Sequence, residues 1–309
     1  ISPRLGFNWD VKGDNAFQVR GGTGVFTGRF PFVWLGNQIG NPNFFYYQVT
    51  DLDFKWPSVW RSNLGIDYKF NNGLIASTDF SYTKDINAAH VQNWGLKPPS
   101  ATLTGVDNRA IYSNTDKSTV PWGDPTNAYV FTNSDKGETI NWSVKLEKNF
   151  KNNFFFSAAY NYLNAKNVNS IEAEITGSAF AENPVLGNVN DDVLTRSKYG
   201  NDHRFIGIVS KKWNYGNDRW STTISSFMEY RQGDKFNYTY GGDINNDGSG
   251  LNDLIYIPTS SELNQMNFTS PGMATDFDNF IAQDDYLSGR RGQYAERYVL
   301  LLHGLEKSM

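Results

Sequence analysis

The chain has 309 residues, 39% of them hydrophobic and 16% aromatic, with a formal net charge of -4, three histidines and no cysteine. That apolar content excludes wholesale disorder, the absence of any Lys/Arg run excludes a nucleic-acid partner, and the lack of cysteine excludes a disulfide framework and thiolate-held zinc. No stretch approaches the roughly 18 consecutive apolar residues of a membrane-spanning helix.

In chain order, the first pattern is a hairpin. Leu5, Phe7 and Trp9 alternate with Arg4, Asn8 and Asp10; a turn at Val11 to Asn15 follows, and Phe17, Val19 and Val25 return against Gln18 and Arg20. The second runs from Trp60 to Phe70, with Trp60, Ser62, Leu64, Ile66 and Tyr68 in one lane and Arg61, Asn63, Gly65, Asp67 and Lys69 in the other. Alternation of period two puts these lanes on opposite faces of a strand. Asn71-Asn72-Gly73 tolerates positive φ and turns the chain into Leu74, Ala76, Thr78, Phe80 and Tyr82.

The same grammar recurs twice. Ile140, Trp142, Val144 and Leu146 precede a turn at Lys151-Asn152-Asn153 and a return through Phe154, Phe156, Ala158, Tyr160 and Tyr162. Phe205 to Trp213 precede a turn at Asn214 to Asp218 and a return through Trp220, Thr222, Ile224, Met228 and Tyr230. In this last pair Ile206 and Ile208 fall in the polar lane.

Long segments rich in Asn, Asp, Gly, Ser and Pro separate the pairs, at roughly 29 to 56, 86 to 137, 166 to 202 and 233 to 292. Connections in compact soluble domains usually run about 4 to 6 residues. A soluble sandwich would also alternate, but it does not account for short turns on one side and long loops on the other. Outer-membrane barrels have that asymmetry, with short periplasmic turns and long extracellular loops. Trp9, Phe17, Phe70, Phe150, Phe154, Trp213 and Trp220 flank the short turns, where an aromatic girdle belongs. The predicted class is therefore all-β: a portion of an antiparallel transmembrane β-barrel with about nine strands.

Three separated stretches carry a family resemblance. They are Ile1-Ser2-Pro3-Arg4-Leu5-Gly6-Phe7 with Arg20-Gly21-Gly22-Thr23-Gly24-Val25-Phe26-Thr27-Gly28-Arg29; Gly242-Asp243-Ile244-Asn245-Asn246-Asp247-Gly248 through Asn252-Asp253-Leu254-Ile255-Tyr256-Ile257-Pro258; and Gln283-Asp284-Asp285-Tyr286-Leu287 to Arg291-Gly292-Gln293-Tyr294-Ala295-Glu296-Arg297. The chain in this respect resembles the Oar-like TonB-dependent receptors of Bacteroidetes over residues 1–297. The resemblance implies a carboxypeptidase-regulatory-like domain, a pore-closing plug and a 22-stranded barrel of which this is the C-terminal part. It also implies an inner-membrane TonB complex, outer-membrane lipid and an extracellular ligand as partners. The sequence begins within a strand pattern, without an initiator Met, and is expected to be a piece of that longer protein. Residues 298–309 depart from the aromatic ending of the family and are expected to be an atypical tail.

One motif has the spacing of a metal loop. Asp243-x-Asn245-x-Asp247-Gly248 offers oxygen ligands on alternate positions with a glycine at the sharp turn, and Asp253 is a candidate late ligand. Calcium is the cofactor such hard oxygen donors would take. The twelfth position is Leu254 instead of a bidentate Glu, so this is no EF-hand, and Asx residues favour turns without any metal. Arg20-Gly21-Gly22-Thr23-Gly24 lacks the strand and helix of a phosphate cradle and is expected to mark close strand packing. His90, His203 and His303 are too dispersed for a metal triad and are expected at loops or the rim. With no paired carboxylates or nucleophile triad, no enzyme is expected. Trp94, Trp122 and Phe44-Phe45-Tyr46-Tyr47 are aromatic loop residues, expected to pack on one another more than on a ligand. Uptake across the outer membrane is the expected role, with a non-transporting surface binder as the alternative.

Overall fold

A computed structural model describes residues 2–40, 46–123 and 126–300. Two layers make up the molecule: a wall of long antiparallel strands and a loop layer above one rim. The strands are β1 (Arg4–Asp10), β2 (Phe17–Thr27), β3 (Tyr46–Thr50), β4 (Ser58–Lys69), β5 (Leu74–Asn93), β6 (Asn127–Ser134), β7 (Glu138–Asn149), β8 (Phe154–Asn167), β9 (His203–Tyr215) and β10 (Trp220–Arg231). The helices are α1 (Phe32–Gly40), α2 (Thr176–Ala181), α3 (Ser260–Leu263), α4 (Pro271–Gln283) and α5 (Asp285–Ser288).

Eight strands form the wall in the order β1-β2-β4-β5-β7-β8-β9-β10, every neighbouring pair antiparallel. The sequence suggested about nine; the segment that would add another makes only the two-residue pairings Val299–Leu300 with Lys235–Phe236 and Gln293–Tyr294 with Tyr256–Ile257. Among the described residues β1 and β10 do not pair with each other, so the wall is open. The predicted turns close as expected, with positive φ at Gly13, Asn15, Gly73, Asn153, Gly216, Asn217 and Asp218. Asn214, read from sequence as part of a turn, stays in β9, because pairing persists to Tyr215↔Trp220.

Register lines up one uncharged row across all eight strands: Trp9, Val19, Ile66, Thr78, Val144, Tyr160, Phe205 and Tyr230. One residue along each strand, the row on the other face reads Asn8, Arg20, Gly65, Asp79, Ser143, Asn161, Arg204 and Arg231. Among the described residues nothing covers the first face: Leu64 is 47% exposed, Trp142 45% and Met228 56%. The second face is knit by Arg20 to Asp67 and, at 2.7 Å, to Asp79, and by Arg204 to Glu229 at 2.8 Å. Gly65 is required there, since a Cβ would lie 2.5 Å from Asp79 Oδ1 and 2.8 Å from Arg20 Cζ. Ile206 and Ile208 do fall on this polar face, opposite Glu229 and Phe227.

Charges bracket the uncovered apolar face. At the loop end Lys84, Glu138 and Lys166 stand side by side, with Lys166 Nζ 3.5 Å from Glu138. At the turn end lie Lys148, whose ammonium sits 4.8 Å from the Phe150 ring, and Lys211, which reaches back to the Asn152 carbonyl. Along β7 the lane from Glu138 to Lys148 holds only Ile140, Trp142, Val144 and Leu146. Those ten steps of about 3.4 Å, tilted roughly 45°, cover about 24 Å of depth, which matches the apolar band about 25 Å tall that crosses a bilayer. Polar atoms inside the band are paired within the protein: Trp60 Nε1 donates to Thr23 Oγ1 and Trp142 Nε1 to Thr78 Oγ1, both at 2.9 Å. Among the described residues no helix is long and apolar enough to cross a membrane.

Leu64→Arg should cost about 2–4 kcal/mol of folding free energy in lipid vesicles, because it places a charge in mid-band. Ser81→Arg, on the polar face, should stay within about 0.5 kcal/mol. Denaturant titration of both variants checks this, and equal costs at the two positions would contradict a lipid-facing surface.

Candidate functional site

The four long connections do not behave as solvated polar loops, as their composition suggested. Their sparse apolar residues gather into two cores that hold more than half of the buried hydrophobic side chains. One joins Phe30, Val91, Leu96, Tyr112, Tyr129, Phe131, Ala179, Phe180 and Val189, with Trp34 stacked on Phe131 at 5.0 Å. The other joins Ile255, Ile257, Ile281, Leu287 and Ala295. β5 continues past the wall for this reason: Ala88 to Asn93 leave β7 and pair with β6, which also pairs in parallel with β3.

Two buried arginines tie the connections together. The Arg109 side chain is 2% exposed and forms ion pairs with Asp107 at 2.8 Å and Asp253 at 3.0 Å. Nη2 also donates to the Leu254 carbonyl at 2.6 Å, and the guanidinium lies 5.1 Å from the Tyr240 ring and 5.5 Å from the Tyr294 ring. Arg297 is 4% exposed and has no carboxylate partner among the described residues. It donates instead to Thr195 Oγ1, Asn183 Oδ1 and the carbonyls of Pro184, Asn167 and Val193. Burial without a counter-ion pulls its pKa down to about 10.

Beside Arg297 a cavity of about 460 Å³ opens between the 184–196 segment and residues 294–299. Leu186, Val193, Leu194, Leu254 and Val299 make its wall apolar, and Lys166 and Glu296 add charge. Its size and lining suit a small ligand with an apolar body. Sequence patterning could not find it, because its residues come from segments about 100 positions apart, although Arg297 lies in the third resemblance stretch.

His90, expected at a loop or the rim, is instead fully buried within the β5–β6 pairing, 0% exposed, with Nε2 3.6 Å from Asp192. Burial pushes its pKa down to about 4, with Asp192 opposing and Arg297 adding to the shift. His203 does lie at the rim, where Nδ1 is 2.7 Å from the Tyr160 hydroxyl. His303, Phe44, Phe45 and the tail from 301 onward lie outside the described residues. Trp94 and Trp122 are 52% and 67% exposed, so neither is packed away as expected.

Of the candidate calcium ligands, Asp243, Asn245 and Asp247 are brought together. Asp243 accepts from the Asp247 and Gly248 amides at 3.0 and 2.9 Å, and Asn245 Nδ2 lies 3.1 Å from Asp247 Oδ2. Asp253 is turned away: one oxygen pairs with Arg109 and the other accepts from the Ile244 amide at 2.9 Å. Among the described residues no three His, Cys, Asp or Glu side chains form a metal-holding group.

No family model matches the chain, and no curated protein matches it. Solved structures do. The outer membrane transporter YddB from Escherichia coli aligns with 12% identity and a TM-score of 0.45, over 76% of this chain and 29% of that one. A mutant of the ferric enterobactin receptor PfeA from Pseudomonas aeruginosa aligns with 13% identity and a TM-score of 0.44, over 76% and 28%. The siderophore receptor PirA from Pseudomonas aeruginosa gives 12% and 0.37, over 75% and 34%. The chain thus spans about a third or less of the length of each.

Arg109→Met leaves Asp107 and Asp253 buried without their cation and should destabilise the loop layer by about 3–5 kcal/mol. Faster amide exchange at 238–257 than in the wall strands would show it. As pH falls from 6.5 to about 4, the unfolded chain takes up a proton that folded His90 refuses, so loop-layer stability falls through that window. Denaturation of His90→Phe across the same pH range should lack this component; identical pH profiles for the two proteins would refute it.

Proposed function

We propose that this chain is part of the wall and the extracellular loops of a TonB-dependent receptor in a bacterial outer membrane, whose role is energy-coupled uptake of an external ligand. The carrying observation is the uncovered, uncharged strand face, bounded by Lys84, Glu138 and Lys166 at one end and Lys148 and Lys211 at the other. Water would not select against charge on an exposed face, whereas hydrocarbon does. The resemblance of the three sequence stretches to Oar-like receptors of Bacteroidetes supports the same reading, and transporter or receptor is also what the similar solved structures are named for.

In this reading the charged face lines the pore, where Arg20, Asp67, Asp79, Arg204 and Glu229 remain hydrated. The loop layer meets the ligand, and the apolar cavity beside Arg297 is the preferred place for it. Energy would come from the inner-membrane TonB complex acting on a plug in the complete receptor. The buried Arg109 and Arg297 are both engaged in holding loops.

The full-length protein should partition with outer membranes and migrate faster on gels before heating than after. A protein that stays in the aqueous fraction without detergent would end this reading. Ligand accumulation that stops when the proton gradient is dissipated is the expected transport behaviour; binding with no such accumulation would assign the protein to surface adhesion instead.

A further inference from the structure

The first resemblance stretch and the charged wall face are absorbed by the wall itself, but the segment 243–252 holds a chemistry that wall and cavity do not use. Asp247 is 1% exposed and forms no ion pair among the described residues. Its carboxylate is met by amides only: Asn252 Nδ2 at 2.7 Å and Asn245 Nδ2 at 3.1 Å on Oδ2, and the Ser249 N–H at 2.7 Å on Oδ1. A buried carboxylate without a cation is costly. Asn252 is likewise 1% exposed, and its Oδ1 has no hydrogen-bond partner among the described residues. Since its Nδ2 touches Asp247, that orphaned oxygen belongs to the same small cluster.

The two ends of an asparagine amide have nearly the same shape, and which one faces Asp247 is decided by what lies between them. With the amide turned, Asn252 presents an oxygen about 2.7 Å from Asp247 Oδ2, the separation of two oxygens on one hard cation whose bonds are about 2.3–2.6 Å. Asp243 lies close by, its carboxylate accepting the amides of Asp247 and Gly248. A carboxylate has about four lone-pair sites, so these two bonds leave room for a metal.

We propose that Asp243, Asn245, Asp247 and Asn252 form a calcium site, with Asn252 taking the role that spacing alone would give to Asp253. Calcium is the cation chosen by this chemistry: ligands are all oxygen, two carboxylates supply charge, and the loop is open enough for water to complete the shell. The ion supplies the positive charge that Asp247 lacks and uses the Asn252 oxygen. Its effect reaches beyond the segment. The Asn245 carbonyl accepts from the Tyr112 N–H at 2.8 Å, Asn246 Nδ2 donates to the Tyr112 carbonyl at 2.7 Å, and Ser249 Oγ donates to the Ala181 carbonyl at 3.2 Å. Binding therefore clamps three connections to one another. The site stands independently of the transport reading, since it depends only on the loop layer.

The test is calcium titration of the whole chain in detergent micelles after chelator treatment, read by calorimetry and by thermal unfolding. Expected are a single saturable site with an affinity near 10⁻⁵–10⁻³ M, a rise of several degrees in the unfolding midpoint, and a much weaker response to magnesium. Asp247→Asn and Asn252→Ala should each weaken binding at least tenfold, and Asp276→Asn should not. If Asp247→Asn fails to fold, Asp243→Asn provides the same reading from an exposed position. No saturable heat up to 10 mM calcium, or binding indifferent to all three ligand variants, would overturn the site, while failure of membrane partitioning would leave it standing.

Discussion

The wall depends on a strand surface that nothing covers among the described residues. A face of this kind tolerates no charge over its middle and no donor without a partner, because neither hydrocarbon nor a neighbouring sheet offers one. Trp60 and Trp142 meet that demand by donating to Thr23 and Thr78 on adjacent strands. The lysines obey it by position, standing where a long stem lets the ammonium reach the polar boundary.

The same constraint inverts the usual arrangement of a folded protein. With an uncharged, uncovered face on one side and ion pairs on the other, the wall has no hydrophobic core of its own, and its strands hold together through the backbone ladder and cross-strand pairs. Hydrophobic burial is moved into the loops, where Phe131, Ile257, Ile281 and Leu287 are 0% exposed. Loops that are long and polar by composition thereby become a packed layer whose shape can be held for recognition. Arg109 and Arg297 do much of that holding, one by ion pairs and the other by neutral acceptors.

The stability of this layer has an electrostatic side. His90 and Arg297 are basic groups in low-dielectric surroundings, and burial pulls each down from its ordinary pKa, which leaves His90 neutral and Arg297 charged near neutral pH. Asp247 is pushed the other way, up to about 6, because burial disfavours its charged form. Arg20, Asp67 and Asp79 on the wall pair charge with charge at a partly exposed surface, and Arg109 does the same with Asp107 and Asp253 in the buried loop layer.

Sequence alone determined the wall: strand lanes, turn residues at Gly73 and Asn153, and the aromatic positions beside the turns are properties of neighbours along one strand, and alternation of period two records them directly. It could also show that Asp243, Asn245 and Asp247 share one loop. Only the tertiary structure decided that Asp253 pairs with Arg109, 144 positions away, that His90 is a core residue, and that the cavity beside Arg297 exists. Those arrangements depend on where distant segments pack, and a few apolar residues scattered through polar loops have no period from which that packing could be read.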